Sequence, residues 1–206
     1  MDTLLIDGIN YDLKSLEKDS WNRLLNASLR YKDPFHNPVV ANTNANGINM
    51  RTVVLRKVWP DKKQLAFHTD TRSGKWKELQ KHDNISWVFY DAAARLQIRL
   101  AGFATLHQQD STADEAWATS NLNSRKIYLG EDGPSVKVTL PTSGLPEAFD
   151  LKDPSIEECI AGRKNFGIIV TTVNWMDWLW LNSKGHRRAG FTYKENGDLF
   201  ADWLVP

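Results

Sequence analysis

Between residues 12 and 31 the apolar positions Leu13, Leu16, Leu24, Leu25 and Leu29 recur near helical spacing, with Trp21 among them, and predict one helix. Pro34 and Pro38 end it. From there the pattern changes to short apolar, β-branched runs bounded by turn residues, which predict strands over 39–42, 48–59, 64–69, 85–90 and 95–107. Four more close the chain, over 167–173, 177–181, 188–193 and 199–205. Asn44-Ala45-Asn46-Gly47 and Asn196-Gly197 are hairpin turns, because Asn-Gly accepts positive φ. Short helices are expected over 75–81, behind the polar loop 70–74, and over 110–122, capped by Asp110 or Ser111. These strands, joined mainly by tight turns, predict a mainly β fold, an antiparallel β-barrel with peripheral helices, and not a doubly wound parallel sheet. The stretch 129–155 holds Pro134, Pro141, Pro146 and Pro154 and at most one strand, over 136–140, and reads as a long arm or lid.

Composition narrows the function classes. The 206 residues fit a single domain spanning 1–206, with 41% hydrophobic residues to build its core. Lys plus Arg number 26 against 25 acidic residues, so the broad basic excess of a nucleic-acid binder is missing and no nucleic-acid partner is expected. No apolar run approaches the ~18 residues of a membrane span, and the start of the chain lacks the pattern of a signal peptide. The single cysteine, Cys159, follows Glu157-Glu158 and reads as an inert thiol in a reducing, cytoplasmic compartment. The histidines are scattered, so no metal site is expected. Gly-x-Gly-x-x-Gly, phosphate-loop, Gly-x-Ser-x-Gly and His-Glu-x-x-His motifs do not occur.

Three segments carry candidate chemistry. Arg51-Thr52-Val53-Val54-Leu55-Arg56 lies on an expected strand, with Arg51, Val53 and Leu55 on one face and Thr52, Val54 and Arg56 on the other. An arginine in a central strand is costly to bury unless it meets an anion. His68-Thr69 leads into Asp70-Thr71-Arg72-Ser73-Gly74-Lys75, where hydroxyl, glycine and lysine at a helix start make a phosphate site, or else a capped helix with solvated charges. In Arg95-Leu96-Gln97-Ile98-Arg99-Leu100-Ala101-Gly102, Gln97 and Arg99 share a strand face. A glutamine amide there suits the imide edge of a heteroaromatic ring, or simply faces solvent.

In this order, with Trp87-Val88-Phe89-Tyr90 between the last two segments and Gly185-His186-Arg187-Arg188-Ala189-Gly190-Phe191 running to a Leu-x-Pro end, the chain resembles the pyridoxamine 5′-phosphate oxidase family over residues 35–206. That resemblance implies an FMN-binding split barrel, homodimeric, with FMN at the subunit interface. It assigns Arg51 and Lys75 to the FMN phosphate, with Thr69 and Ser73 donating hydroxyl hydrogen bonds. Thr52, Val53 and Val54 would run beside the flavin, Arg56 near the ring in the place of a common lysine, and Gln97 at the pyrimidine edge. His68 and Gly74 stand in the same site where the oxidases often carry tyrosine and arginine. Trp178 and Arg188 would close over the ring from the second subunit, although Trp178-Leu179-Trp180 and Arg187-Arg188 each align in two ways. With these departures the pattern looks closer to a divergent, flavin-binding branch of the family than to the true oxidase.

The resemblance implies an FMN-dependent oxidoreductase acting on a small molecule, with Arg188, Arg125 or His186 binding an anionic group. No catalytic acid or base is assigned. The alternatives are a true pyridoxamine or pyridoxine 5′-phosphate oxidase and a non-enzymatic flavin- or haem-binding protein.

Overall fold

A computed structural model describes residues 3–149 and 151–206; Met1, Asp2 and, within the expected arm, Asp150 lie outside them. In chain order the elements are β1 (Leu4–Ile6), β2 (Ile9–Tyr11), α1 (Leu13–Leu29), β3 (Val39–Asn44), β4 (Gly47–Thr52), β5 (Lys57–Trp59), β6 (Gln64–Asp70), α2 (Gly74–Leu79), β7 (Asn84–Asp91), β8 (Leu96–His107), α3 (Ser111–Thr119), α4 (Leu122–Lys126), α5 (Ile156–Cys159), β9 (Phe166–Trp180), β10 (Arg187–Tyr193) and β11 (Leu199–Leu204). β1 and β2 form a small hairpin, and the main sheet runs in the order β11-β10-β9-β8-β7-β3-β4, with β6 pairing both β5 and β9. The pairings with a defined register are antiparallel. The expected mainly β, antiparallel architecture with a few helices is therefore present.

The chain divides into two compact units: Met1–Phe67, Asn84–Ala104 and Thr171–Pro206 form the first, and His68–Asp83 and Thr105–Val170 the second. In the first unit α1 begins with a reciprocal cap, Ser15 N–H donating to Asp12 at 2.7 Å and Asp12 N–H to the Ser15 hydroxyl at 3.0 Å. Its buried face carries Leu16, Trp21, Leu24 and Ala27. A polar clasp holds it: Lys63 Nζ lies 2.7 Å from Glu17 Oε1, the Tyr193 hydroxyl donates to the same oxygen at 3.0 Å, and Trp21 Nε1 donates to Tyr193 at 2.8 Å. Burial, followed by the Glu17 charge, pushes the Tyr193 phenol far above its ordinary range, so it remains a donor. The sheet core of this unit includes Val40, Leu55, Leu65, Phe67, Trp87, Phe89, Ile98, Leu100, Met176 and Phe191. Gly102 permits the backbone approach of β9; a Cβ there would stand 2.0 Å from the Thr172 carbonyl oxygen.

Several boundaries differ from those expected. The strand expected over 48–59 is two, because the chain changes partners: Val53 and Leu55 N–H donate to Pro38 and His36, whereas Arg56 N–H donates to Ala66 on β6. The two strands expected over 167–181 are the single β9, since Trp175 and Met176 continue the ladder with β10. The helix expected over 110–122 ends at Thr119, and α4 follows separately. The strand considered over 136–140 does not form; the chain enters it through a turn with Ser135 at φ 72.

In the second unit Trp117, Tyr128 and Phe166 meet edge-on at centroid separations of 5.1–6.0 Å. Cys159 is buried there. Burial pushes its thiol up, Glu158 adds to this, and Arg125 opposes it, so the sulfur stays protonated and inert at neutral pH.

Candidate functional site

The second unit presents a compact donor cluster. β6 delivers Thr69, whose side chain is buried, and the next four residues fold back on themselves as Asp70 accepts from Arg72 N–H at 2.8 Å and its carbonyl accepts from Ser73 N–H at 3.1 Å. This turn brings the Ser73 hydroxyl to 3.4 Å from that of Thr69, and Lys75 Nζ donates to Thr69 Oγ1 at 2.9 Å. Ser73 sits at the N-cap of α2 but makes no side-chain cap bond there. α2 is only six residues long, so the hydroxyls and the ammonium, more than a helix dipole, define the chemistry. Thr69, Ser73 and Lys75 are thus brought together as the sequence led us to expect. His68 is half-buried with its ring 4.8 Å from Phe166, and a Cβ on Gly74 would make only an ordinary contact with Glu78.

Arg72, in the middle of the same turn, points elsewhere. Its Nη2 is 2.7 Å from Asp70, and its Nη1 donates at 3.0 Å to the carbonyls of Gly130 and Glu131 at the start of the arm. Arg125, read as a substrate residue, stacks 5.3 Å over Trp117 and donates to the Ala118 carbonyl, while its buried Nε has no hydrogen-bond partner among the described residues.

The first unit carries the other expected residues. Arg51 pairs across the ladder with Val40 and donates Nη1 to the buried Asn42. Thr52 is exposed, and Val53, Val54 and Arg56 are half-buried in the irregular stretch between β4 and β5, not on one regular strand. Gln97 and Arg99 are half-buried on one face of β8, opposite Tyr90 and Val88. On β9, Trp178 is 2% exposed and packed in its own core, whereas Trp180 is half-buried. Of the two alignments, Trp180 is the more exposed residue. Arg188 donates Nε to Asp177 Oδ2 at 2.7 Å, whereas the exposed Arg187 bonds the carbonyls of Gly185 and His186. His186 and both arginines line a cavity of about 500 Å³ with Leu4, Trp203 and Leu204.

Sequence reading missed Asn42 and Asp177. Asn42 carried no signal beyond being polar in a strand. Asp177 did carry one: a lone carboxylate inside the apolar run Trp175-Met176-Asp177-Trp178. Among the described residues no cluster of His, Cys, Asp and Glu could hold a metal ion.

An antiparallel sheet fold with a hydroxyl and ammonium cluster suited to an anion is the class these observations define. Residues 18–108 match the family model for the pyridoxamine 5′-phosphate oxidase FMN-binding domain, which places that segment in the family the motifs pointed to. Among solved structures, the chain is similar to a pyridoxamine 5′-phosphate oxidase-related, FMN binding protein from Nostoc punctiforme, with TM-score 0.71 and 22% identity over 92% of this chain and 96% of that one. It is also similar to PhzG from Burkholderia lata, solved with tetrahydrophenazine-1-carboxylic acid, with TM-score 0.67 and 17% identity over 94% and 92% of the two chains. A Clostridium acetobutylicum protein related to general stress protein 26 gives 0.52 and 14% over 94% and 97%. These likenesses show the fold. No curated protein matches the chain in sequence.

Proposed function

We propose that the chain is an FMN-dependent oxidoreductase, related to pyridoxamine 5′-phosphate oxidase, that acts on a small anionic molecule. The observation that carries this reading is the Thr69, Ser73 and Lys75 cluster, which lies inside the segment matching an FMN-binding domain. The donor set fits a phosphate monoester: two hydroxyls can each donate to it, and an ammonium balances part of its charge. In this reading Lys75 and Arg51 neutralise the phosphate, and Thr69 and Ser73 orient it. The backbone of Thr52, Val53 and Val54 would run beside the ring with Arg56, and His68 and Gly74 would belong to the same site. Gln97 would read the pyrimidine edge, and Arg188 with Trp178 or Trp180 would close over the ring from a second subunit. Bound FMN supplies two-electron redox chemistry, and the protein supplies orientation and charge.

The cavity beside Arg188 supports an anionic substrate, since His186, Arg187 and Arg188 face it together with Trp203 and Leu204. PhzG was solved with a ring-bearing carboxylic acid, and a ligand of that chemistry matches a cationic and aromatic lining. Arg125 is the alternative anion contact. The assembly proposed is a cytoplasmic homodimer of one split-barrel domain per chain. Its interface would be the sheet face that leaves Met50, Val88, Tyr90 and Phe103 exposed. No described helix is long and apolar enough to cross a membrane.

The test is a titration of purified protein with FMN, followed by a screen of reductants and of anionic ring compounds. Saturable FMN binding with turnover of one such compound supports the reading. Turnover of pyridoxine 5′-phosphate with oxygen would identify a true oxidase, and flavin that no donor reduces would leave a binding role.

A further inference from the structure

Asp177 lies in the middle of β9 with its carboxylate wholly shielded from solvent. Burying a carboxylate is costly unless both oxygens are matched. Here each is taken by a guanidinium from a flanking strand. Arg99 on β8 brings Nη2 to 3.1 Å and Nε to 3.2 Å from Oδ1, and Arg188 on β10 brings Nε to 2.7 Å from Oδ2. The arginines themselves stay partly in solvent, at 39% and 29% side-chain exposure, so the carboxylate is buried beneath its partners and they remain available to a ligand. The Arg99 guanidinium also stacks 5.5 Å over Trp175, two residues before Asp177 on the same strand face.

A buried ion cluster is weak evidence for stability, since an apolar residue at the same place fills a core as well or better. What this one supplies is orientation. Arg99 shares a strand face with Gln97, and Arg188 lines the cavity with His186. Among the described residues the Arg188 guanidinium is held through Nε, which fixes its plane and leaves its terminal nitrogens for a ligand. One carboxylate against two guanidiniums leaves one positive charge over.

We propose that Asp177 is a positioning residue for the flavin site: it locks the side chains of Arg99, on the strand that also carries Gln97, and of Arg188, at the start of β10 two residues after His186. The inference rests on the proposed FMN reading and adds to it a residue that itself touches no ligand. It requires Asp177 to act through Arg188, which makes it separable from a merely structural role.

The experiment is a double-mutant cycle read by FMN affinity and by the visible circular dichroism of the bound flavin. Asp177→Asn should weaken FMN binding about tenfold and change the flavin dichroism. In an Arg188→Gln background the same change should add less than a twofold loss, because the Arg188 contact through which Asp177 acts on FMN is already gone, and the Arg99 contact that remains is to a side chain with no assigned FMN contact. Unchanged affinity and dichroism in Asp177→Asn, or losses that multiply in the double variant, would overturn the proposal. Should Asp177→Asn not fold, Arg188→Lys reads the same contact from its other side: it keeps the charge, loses Nε, and should show the same loss, whereas full affinity would overturn the proposal. Wild-type protein that binds no FMN overturns the underlying reading, and the inference falls with it.

Discussion

Lys75 donates to Thr69, and Thr69 meets Ser73, within seven consecutive residues, so the chemistry of this cluster is set locally. Thr69 and Ser73 are buried, and hydroxyls removed from water need partners. A phosphate supplies acceptors for both. Charge-assisted hydrogen bonds are worth roughly 1.5–3 kcal/mol each, so replacing Lys75 and Arg51 by alanine together should weaken FMN binding at least about a hundredfold. The chain should stay folded, because Lys75 and Arg51 are both only half-buried. Isothermal titration of the double variant checks this; unchanged affinity would place the phosphate elsewhere. The Thr-x-x-x-Ser-x-Lys spacing made this half of the site legible in the sequence. Asp177 was not, because the value of a lone carboxylate in a strand depends on arginines that lie 78 and 11 residues away along the chain.

Among the elements, α3 shows how a local signal becomes stability. Asp110 caps it by accepting from Ala113 N–H at 2.9 Å, and His107 Nδ1 lies 2.8 Å from its other oxygen. Burial by itself would raise this carboxyl, but the Ala113 N–H and His107 outweigh it and hold the group below its ordinary value of 3.8. A depressed carboxyl stabilises the fold above its unfolded pKa and loses that contribution as pH falls through the folded one. Asp110→Ala should therefore cost about 1 kcal/mol at pH 7, with the gap to wild type shrinking below pH 3.8 in urea melts. That cap was readable to within one residue, as Asp110 or Ser111, and the turns at Gly47 (φ 116) and Gly197 (φ 88) were readable too, because each depends on a few adjacent residues. What could not be read depended on partners distant in sequence. β4 and β5 part where the chain leaves one neighbour for another, and β9 stays whole because β10 pairs across Trp175 and Met176. The β1–β2 hairpin lacked any periodic signal, being only three residues to a strand.

For the whole molecule, the exposed apolar residues of the sheet and the reach of the proposed site argue for a two-fold assembly. Met50 is 66% exposed on β4, and Phe103 is 46% exposed on β8, whose opposite face is core, a waste of apolar surface unless something covers it. Light scattering should give a dimer for the wild type and a monomer for Met50→Glu combined with Val88→Glu, with FMN affinity lost alongside; a wild-type monomer would remove the second subunit from the site. The central claim, that this fold holds a flavin mononucleotide on Thr69, Ser73 and Lys75, is tested most directly by the visible absorbance of purified protein after equilibration with excess FMN and removal of the unbound cofactor. The account predicts a yellow protein carrying about one FMN per chain through its phosphate contacts. A colourless protein that retains no FMN would contradict it.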